Sequence, residues 1–217
     1  LEQQEHICVV RFFIYYAILS QRNNDYVIAT DVMDVVFQKN PVEFFERLPP
    51  HPLKIIASSE NILYGNEAWG ANNVRLAFGD AGYNKVKDRE IYNAGVMAGP
   101  LTLMADLYFT AYSMCEGKPQ HVPGGGGSDQ AAYNLLLSTE QYIQNTYFVS
   151  HDQGWACQVG TVADPHKNYT MFNLDPNPMV NTETNTVVTS KGVDYFIVHQ
   201  YNRNPMMKQM MENKYND

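Results

Sequence analysis

Tyr26-Val27-Ile28-Ala29-Thr30-Asp31-Val32-Met33-Asp34 is the stretch on which the reading of this chain turns. Its first four residues are apolar without the alternation of a half-exposed strand, the pattern of a strand covered on both faces. The run ends abruptly in two carboxylates three positions apart. Asp31 and Asp34 repel each other when close, so something positive must hold them together. Hard oxygen donors of this kind suit Mg2+ or Mn2+, which commonly take further ligands from a diphosphate. Spacing alone also admits a plainer reading, with one Asp capping a helix start and the other solvated.

Working outward, residues 7 to 19 read as an amphipathic helix with Cys8, Phe12, Tyr15 and Leu19 on one face. Asn40-Pro41-Val42-Glu43 has the residues of a helix start, and Pro49-Pro50 stops that helix. Leu53 to Ala57 reads as a second buried strand ending in Ser58-Ser59-Glu60. Residues 61 to 89, punctuated by Gly65, Gly70, Gly79 and Gly82, read as a loop carrying a short helix. Ile91-Tyr92 leads into Asn93-Ala94-Gly95-Val96-Met97-Ala98-Gly99. Pro100 then opens a helix with Leu101, Met104, Leu107, Tyr108, Ala111 and Cys115 on one face. Gly124 to Gly127 is a flexible tract, and Ser128 is placed to cap a helix over 129 to 138. The stretch from 145 to 190 is irregular, and Val193 to Val198 is a last strand ending in His199.

Strands alternating with helices predict an α/β sandwich with a mostly parallel mixed sheet, residues 1 to 217 forming one domain. Ligands of such sheets bind outside the carboxyl ends of the strands. Asp31 with Asp34, Glu60, Asn93 and His199 each follow a strand directly, so they are expected to converge on one edge.

Composition narrows the partners. Of 217 residues, 45% are hydrophobic, enough for burial to offset the ordering entropy of a folded core. Fifteen Lys and Arg against 23 Asp and Glu give a net charge of -8, with no basic patch, which argues against nucleic acid. Three cysteines in no CxxC spacing exclude a disulfide scaffold and a cysteine zinc cluster. The longest apolar run, Ile7 to Leu19, is broken by Arg11 and falls short of the ~20 residues that span a bilayer, so no membrane segment is expected in this chain. The chain begins at Leu1 rather than Met, so an upstream anchor or domain is expected to be missing from it.

At this point a resemblance appears. Tyr26 to Gln38 resembles the metal-binding segment of GT-A-fold nucleotide-sugar glycosyltransferases, in the variant that reads D-x-x-D rather than D-x-D. Ile91 to Gly99 is similar to their N-x-G-v-x-x-G segment, Asp129-Gln130 with Asn134 to their D-Q-x-x-x-N helix start, and Val198-His199-Gln200-Tyr201 to their late histidine segment. The resemblance implies a GT-A, Rossmann-like three-layer sandwich. It implies a transferase that moves a sugar from a nucleotide-diphosphate sugar, a UDP-sugar first among them, to an acceptor hydroxyl on a glycan, glycoprotein or other molecule. A divalent cation, Mn2+ or Mg2+, would neutralise the leaving diphosphate. Asp34, Asp31 and His199 would be the metal ligands, with Asp31 also within reach of the ribose. Asp129 and Gln130 would hold the donor sugar as the catalytic pair. Glu60, Asn93, Gly95 and Asn134 would complete the substrate-binding cleft. The Asp129-Gln130 segment is closer to the retaining members. Such enzymes begin with a βαβ unit that cradles the base, and only about two dozen residues precede the first buried strand here, so either that unit is expected upstream in the natural protein or this chain is a fragment with an incomplete nucleotide pocket. A Golgi location follows if the chain is eukaryotic with an anchor, and a cytoplasmic one otherwise.

Two other functions fit parts of the pattern. A glycoside hydrolase using Glu60 and Asp129 as its carboxylate pair would explain the acidity and the aromatics. A non-catalytic transferase-like module that binds carbohydrate or a partner would explain the missing first unit. Trp69 and Trp155 are candidate sugar-stacking residues, though most aromatics in a chain of this size form core. Asn168-Tyr169-Thr170 is a glycosylation sequon, meaningful only in a secretory lumen.

Overall fold

The strands that read as covered on both faces are so covered in the computed structural model, which describes residues 6–23, 26–49, 53–119, 128–162 and 179–215. The glycine tract at 124–127, the sequon at 168–170, and His51, His121 and His166 lie outside those residues. In chain order the elements are α1 (Ile7–Leu19), β1 (Tyr26–Thr30), β2 (Val35–Phe37), α2 (Val42–Phe45), β3 (Ile55–Leu63), α3 (Ala68–Val86), β4 (Glu90–Pro100), α4 (Leu101–Cys115) and α5 (Asp129–Leu137). They continue as α6 (Glu140–Gln144), β5 (Thr146–Val149), β6 (Ala156–Gln158), α7 (Val159–Val162), β7 (Met179–Asn181), β8 (Thr186–Val188), β9 (Ile197–His199) and α8 (Pro205–Tyr215).

The main sheet has the order β1-β4-β3-β5, and a smaller one the order β2-β9-β6. Successive side chains of a strand point to opposite faces, and the core divides accordingly. Ile55, Ala57 and Met97 face α1, α4 and α5, where Val9, Phe12, Leu107, Tyr108, Tyr133 and Leu136 complete a buried cluster. Ile56, Val96 and Ala98 face the other way, onto Phe44, Trp155, Phe196 and Ile197 around the smaller sheet. Helices, main sheet and small sheet thus form three layers. Trp155 is fully buried and packs on Phe44 at 4.8 Å between ring centroids, so it is core.

Several expectations are corrected. The sheet is mixed, as expected, but among the described residues parallel pairing is confined to β3 with β5 and β6 with β9, while β4 runs antiparallel to both β1 and β3. Residues 61 to 89 are chiefly the helix α3 rather than a loop, broken at Gly79 where φ is 68°. Its signal was weak because glycines interrupt its apolar spacing; its start is fixed by Glu67, whose carboxylate accepts from the amides of Trp69 and Gly70. The strand expected to end at Ala57 continues to Leu63, because Ser58 to Asn61 are polar yet buried. Val193 to Phe196 precede the last strand rather than forming it, and β9 runs through His199 itself. Ser128 stands at the N-cap of α5 but makes no side-chain cap bond.

Candidate active site

Asp31 and Asp34 leave the end of β1 on a loop whose middle residues turn outward: Val32 and Met33 are 85% and 87% exposed. That outward turn is what brings two carboxylates three positions apart to the same inner side. Both ends of the loop are tied down. The Asp31 amide donates to the Gly95 carbonyl at 2.8 Å, and the Gln200 amide donates to the Asp34 carbonyl at 2.8 Å. The loop also runs directly into β2, where Val35 lies opposite His199 in the ladder, so backbone register delivers the histidine to the two acids.

His199 is 1% exposed. Its Nδ1 lies 2.6 Å from Oε1 of Gln158, the residue opposite it in the parallel β6–β9 pairing. A carbonyl oxygen there calls for a protonated Nδ1, so that in a neutral ring it is Nε2 that turns a lone pair to the cleft side. Nε2 lies 3.3 Å from Asp31 Oδ2 and 3.8 Å from Asp34 Oδ1, and is buried without a hydrogen-bond partner among the described residues. One ligand atom from each of Asp31, Asp34 and His199 falls within 4.8 Å of the others. Two carboxylate oxygens and a neutral imidazole nitrogen suit a borderline-hard divalent cation such as Mn2+. The donor set therefore fits a metal, and the convergence of three ligand atoms from separate segments supplies the strongest reason for one.

Gly95 makes the convergence possible. A Cβ at that position would lie 2.5 Å from His199 Cε1 and 2.8 Å from both Asp31 Oδ2 and His199 Nε2. Its amide donates to Asn93 Oδ1 at 2.7 Å, and Asn93 Nδ2 donates to Glu60 Oε1 at 2.7 Å. Glu60 also accepts from Gln130 Nε2 at 3.2 Å and from Thr161 Oγ1 at 2.9 Å. The polar end of β3 is thus the hub of a buried network that satisfies its carboxylate.

Arg11 projects into the same place from α1. Nη1 pairs with Asp31 Oδ1, and Nη2 donates to Asp129 Oδ2 at 2.9 Å and to the Ala94 carbonyl at 3.4 Å. Burial, which lowers the Arg11 pKa, is outweighed by Asp129 and Asp31, so the guanidinium stays charged. Burial raises Asp31, but the adjoining His199 ring and Arg11 outweigh it and hold that carboxyl below the ordinary range.

These residues line an open cleft of about 420 Å³, bounded also by Cys8, Glu67, Trp69, Gly160, Thr161, Gln200 and Arg203. Asp31, Glu60, Asn93, Gly95, Asp129, Gln130 and His199 all lie on its wall, and Asp34 adjoins it through His199. Asn134 does not line it. Its Oδ1 accepts from the Tyr92 amide, and its Nδ2 donates to the Tyr92 and Gln130 carbonyls, each at 2.8 Å. Sequence reasoning missed two residues. Arg11 was visible as a lone cation in an apolar helix, but its partners lie 20 and 118 positions away. Gln158 carried no signal at all, since its role follows from strand register.

No family model and no curated protein matches this chain. Among solved structures it is similar to WbbM, a bifunctional glycosyltransferase in its apo form, with a TM-score of 0.54 at 13% identity. The match covers 98% of this chain and 36% of that one, so the chain spans about a third of its length. The shared architecture is a GT-A-like α/β sandwich.

Proposed function

We propose that this chain is a glycosyltransferase domain that moves a sugar from a nucleotide-diphosphate sugar, a UDP-sugar first among the candidates, to an acceptor hydroxyl of a glycan or glycoprotein. Asp31, Asp34 and His199 would hold Mn2+ or Mg2+. The observation that carries the reading is the convergence of the buried His199 Nε2 with the carboxylates of Asp31 and Asp34, which come from a different part of the chain, ligand atoms of all three lying within 4.8 Å of one another. When bound, the cation supplies positive charge to the leaving diphosphate, where charge develops as the glycosidic bond breaks.

The chain's own residues supply the rest. Gln158 fixes which histidine nitrogen faces the cleft. Asp129 and Gln130, at the start of α5, present oxygen and nitrogen groups suited to sugar hydroxyls. The Glu60 network holds Asn93 and Gln130 in place, which removes the freedom they would otherwise lose on binding. A glycoside hydrolase on Glu60 and Asp129 is a poorer fit. Glu60 accepts three hydrogen bonds and Asp129 is paired with Arg11, so both carboxylates are already engaged within the protein.

Calorimetric titration of UDP, with and without Mn2+, tests the proposal in the wild type and in Asp34→Asn. Metal-dependent UDP binding is expected in the wild type and at least a tenfold loss in the variant. Asn preserves the shape but not the charge, so the metal-free variant should keep its melting temperature or gain a little. Equal Mn2+ and UDP affinities in the two proteins would overturn the metal assignment.

A further inference from the structure

We infer that Arg11 is a positioning residue that joins the metal-side carboxylate Asp31 and the donor-side carboxylate Asp129 into one unit, and so sets the Asp31 oxygen that faces His199. The inference rests on the metal reading of Asp31, Asp34 and His199 proposed above.

The contacts of Arg11 divide its guanidinium between two jobs. Nη1 takes Asp31 Oδ1, which leaves Oδ2 as the oxygen 3.3 Å from His199 Nε2. Nη2 takes Asp129 Oδ2 at 2.9 Å and the Ala94 carbonyl at 3.4 Å, while Nε donates to the Cys8 carbonyl at 3.1 Å. The planar fork is therefore fixed from three sides. A guanidinium spans two carboxylates in this way because its donors diverge in a rigid plane, whereas an ammonium is a point charge on a flexible stem. The four acceptors come from different elements: Cys8 in α1, Asp31 at the end of β1, Ala94 in β4 and Asp129 at the start of α5. Asp129 is well buried, with 7% of its side chain exposed, so it needs a fixed counter-charge. The placement of Asp31 is thus tied to the seating of α1 and α5.

Positioning and simple charge balance predict opposite signs. Arg11 is a cation beside a proposed cation site. If it acted through charge alone, its removal would strengthen Mn2+ binding and lysine would replace it fully. If it positions Asp31, both substitutions weaken binding, because a carboxylate free to turn no longer presents one oxygen beside His199.

The test is Mn2+ affinity by calorimetry, and by electron paramagnetic resonance of free Mn2+, in wild type, Arg11→Lys and Arg11→Gln. Affinity should fall about tenfold or more in both variants, the usual range for losing a group that orients a ligand. Wild-type or tighter binding in Arg11→Lys would overturn the inference. A metal-free readout separates this from the metal reading itself. In the presence of chelator, Asp129→Asn should lower the melting temperature of the wild type, where it breaks the pair with Arg11. In the Arg11→Gln background it should leave that temperature unchanged or raise it, since there it relieves carboxylate repulsion. Equal shifts in both backgrounds would mean that Arg11 does not join the two acids. Should Arg11→Gln fail to fold, the same cycle is read in Arg11→Met, which removes the charge and keeps an unbranched apolar stem. A wild type that binds no Mn2+ refutes the metal reading, and the metal-free cycle still decides the bridge.

Discussion

At the scale of single residues the site depends on one missing methyl group. Gly95 has no positive φ to explain it; what it supplies is space, because a Cβ there would stand 2.5 Å from His199 Cε1 and 2.8 Å from Asp31 Oδ2. Neither neighbour yields easily, since His199 is buried against Gln158 and Asp31 is paired with Arg11. Gly95→Ala should therefore cost at least tenfold in Mn2+ affinity and about 1–3 kcal/mol in stability, as overpacking usually does. Calorimetry and thermal unfolding read the two effects, and an unchanged Mn2+ affinity would contradict the close packing. Asp31, Asp34 and His199 were legible in the sequence because each stands at a strand end, in segments similar to a known family. Arg11 was not, because a single charged residue in an apolar helix reads as an interruption until its partners are brought to it. Gln158 was invisible for a related reason: a glutamine has no signature, and pairing opposite a histidine is a property of the sheet.

At the scale of elements, legibility followed how far each segment obeyed a local pattern. α1 and α4 keep their apolar spacing and stand where periodicity placed them. β3 does not, because its second half exchanges apolar side chains for Ser58, Ser59, Glu60 and Asn61, all buried, with Glu60 on the cleft wall. That irregularity extends into β4, whose register with β3 shifts between Ala57 and Ser59 and again before Leu63. Asn134 serves β4 there, since its side-chain amide meets both backbone groups of Tyr92 much as a neighbouring strand would. Expected as a substrate residue, it sits instead as a clamp between α5 and β4. Asn134→Leu should lower stability by about 1–3 kcal/mol, the cost of leaving backbone polar groups unmade. Mn2+ affinity in the folded fraction should change little. Denaturant unfolding and metal titration separate the roles, and intact stability with weakened UDP-sugar binding would return Asn134 to the cleft.

At the scale of the whole molecule, the fold class followed from strands alternating with helices, while the direction of the strands did not. Nothing local tells β4 to run against both neighbours; the pairing of β4 with β1 and with β3 joins segments far apart in the chain. Charge, by contrast, is a global property the sequence states outright, and the structure shows how the net -8 is used. Among the described residues Asp31, Asp152 and Asp194 titrate below the ordinary carboxyl range. For Asp31 burial is outweighed by His199 and Arg11, and for Asp152 burial is outweighed by hydrogen bonds from Lys191 and Ser150. For Asp194 the hydrogen bond from Lys39 is the largest influence. A carboxyl whose pKa is lower folded than unfolded binds fewer protons in the native state. Its stabilising contribution is complete above the unfolded value, about 3.9, and is lost as pH falls through the folded one. Carboxylates stay ionised between pH 7 and 5, so their contribution should be nearly flat there before stability drops below about pH 4. Melting temperatures measured in chelator from pH 7 to pH 2 should show that shape. Lys39→Ala should make the acid limb shallower, because Asp194 then loses its main partner, while leaving the plateau width unchanged. A melting temperature that keeps rising below pH 4, or an acid limb indifferent to Lys39, would mean that these ion pairs contribute nothing to the native state.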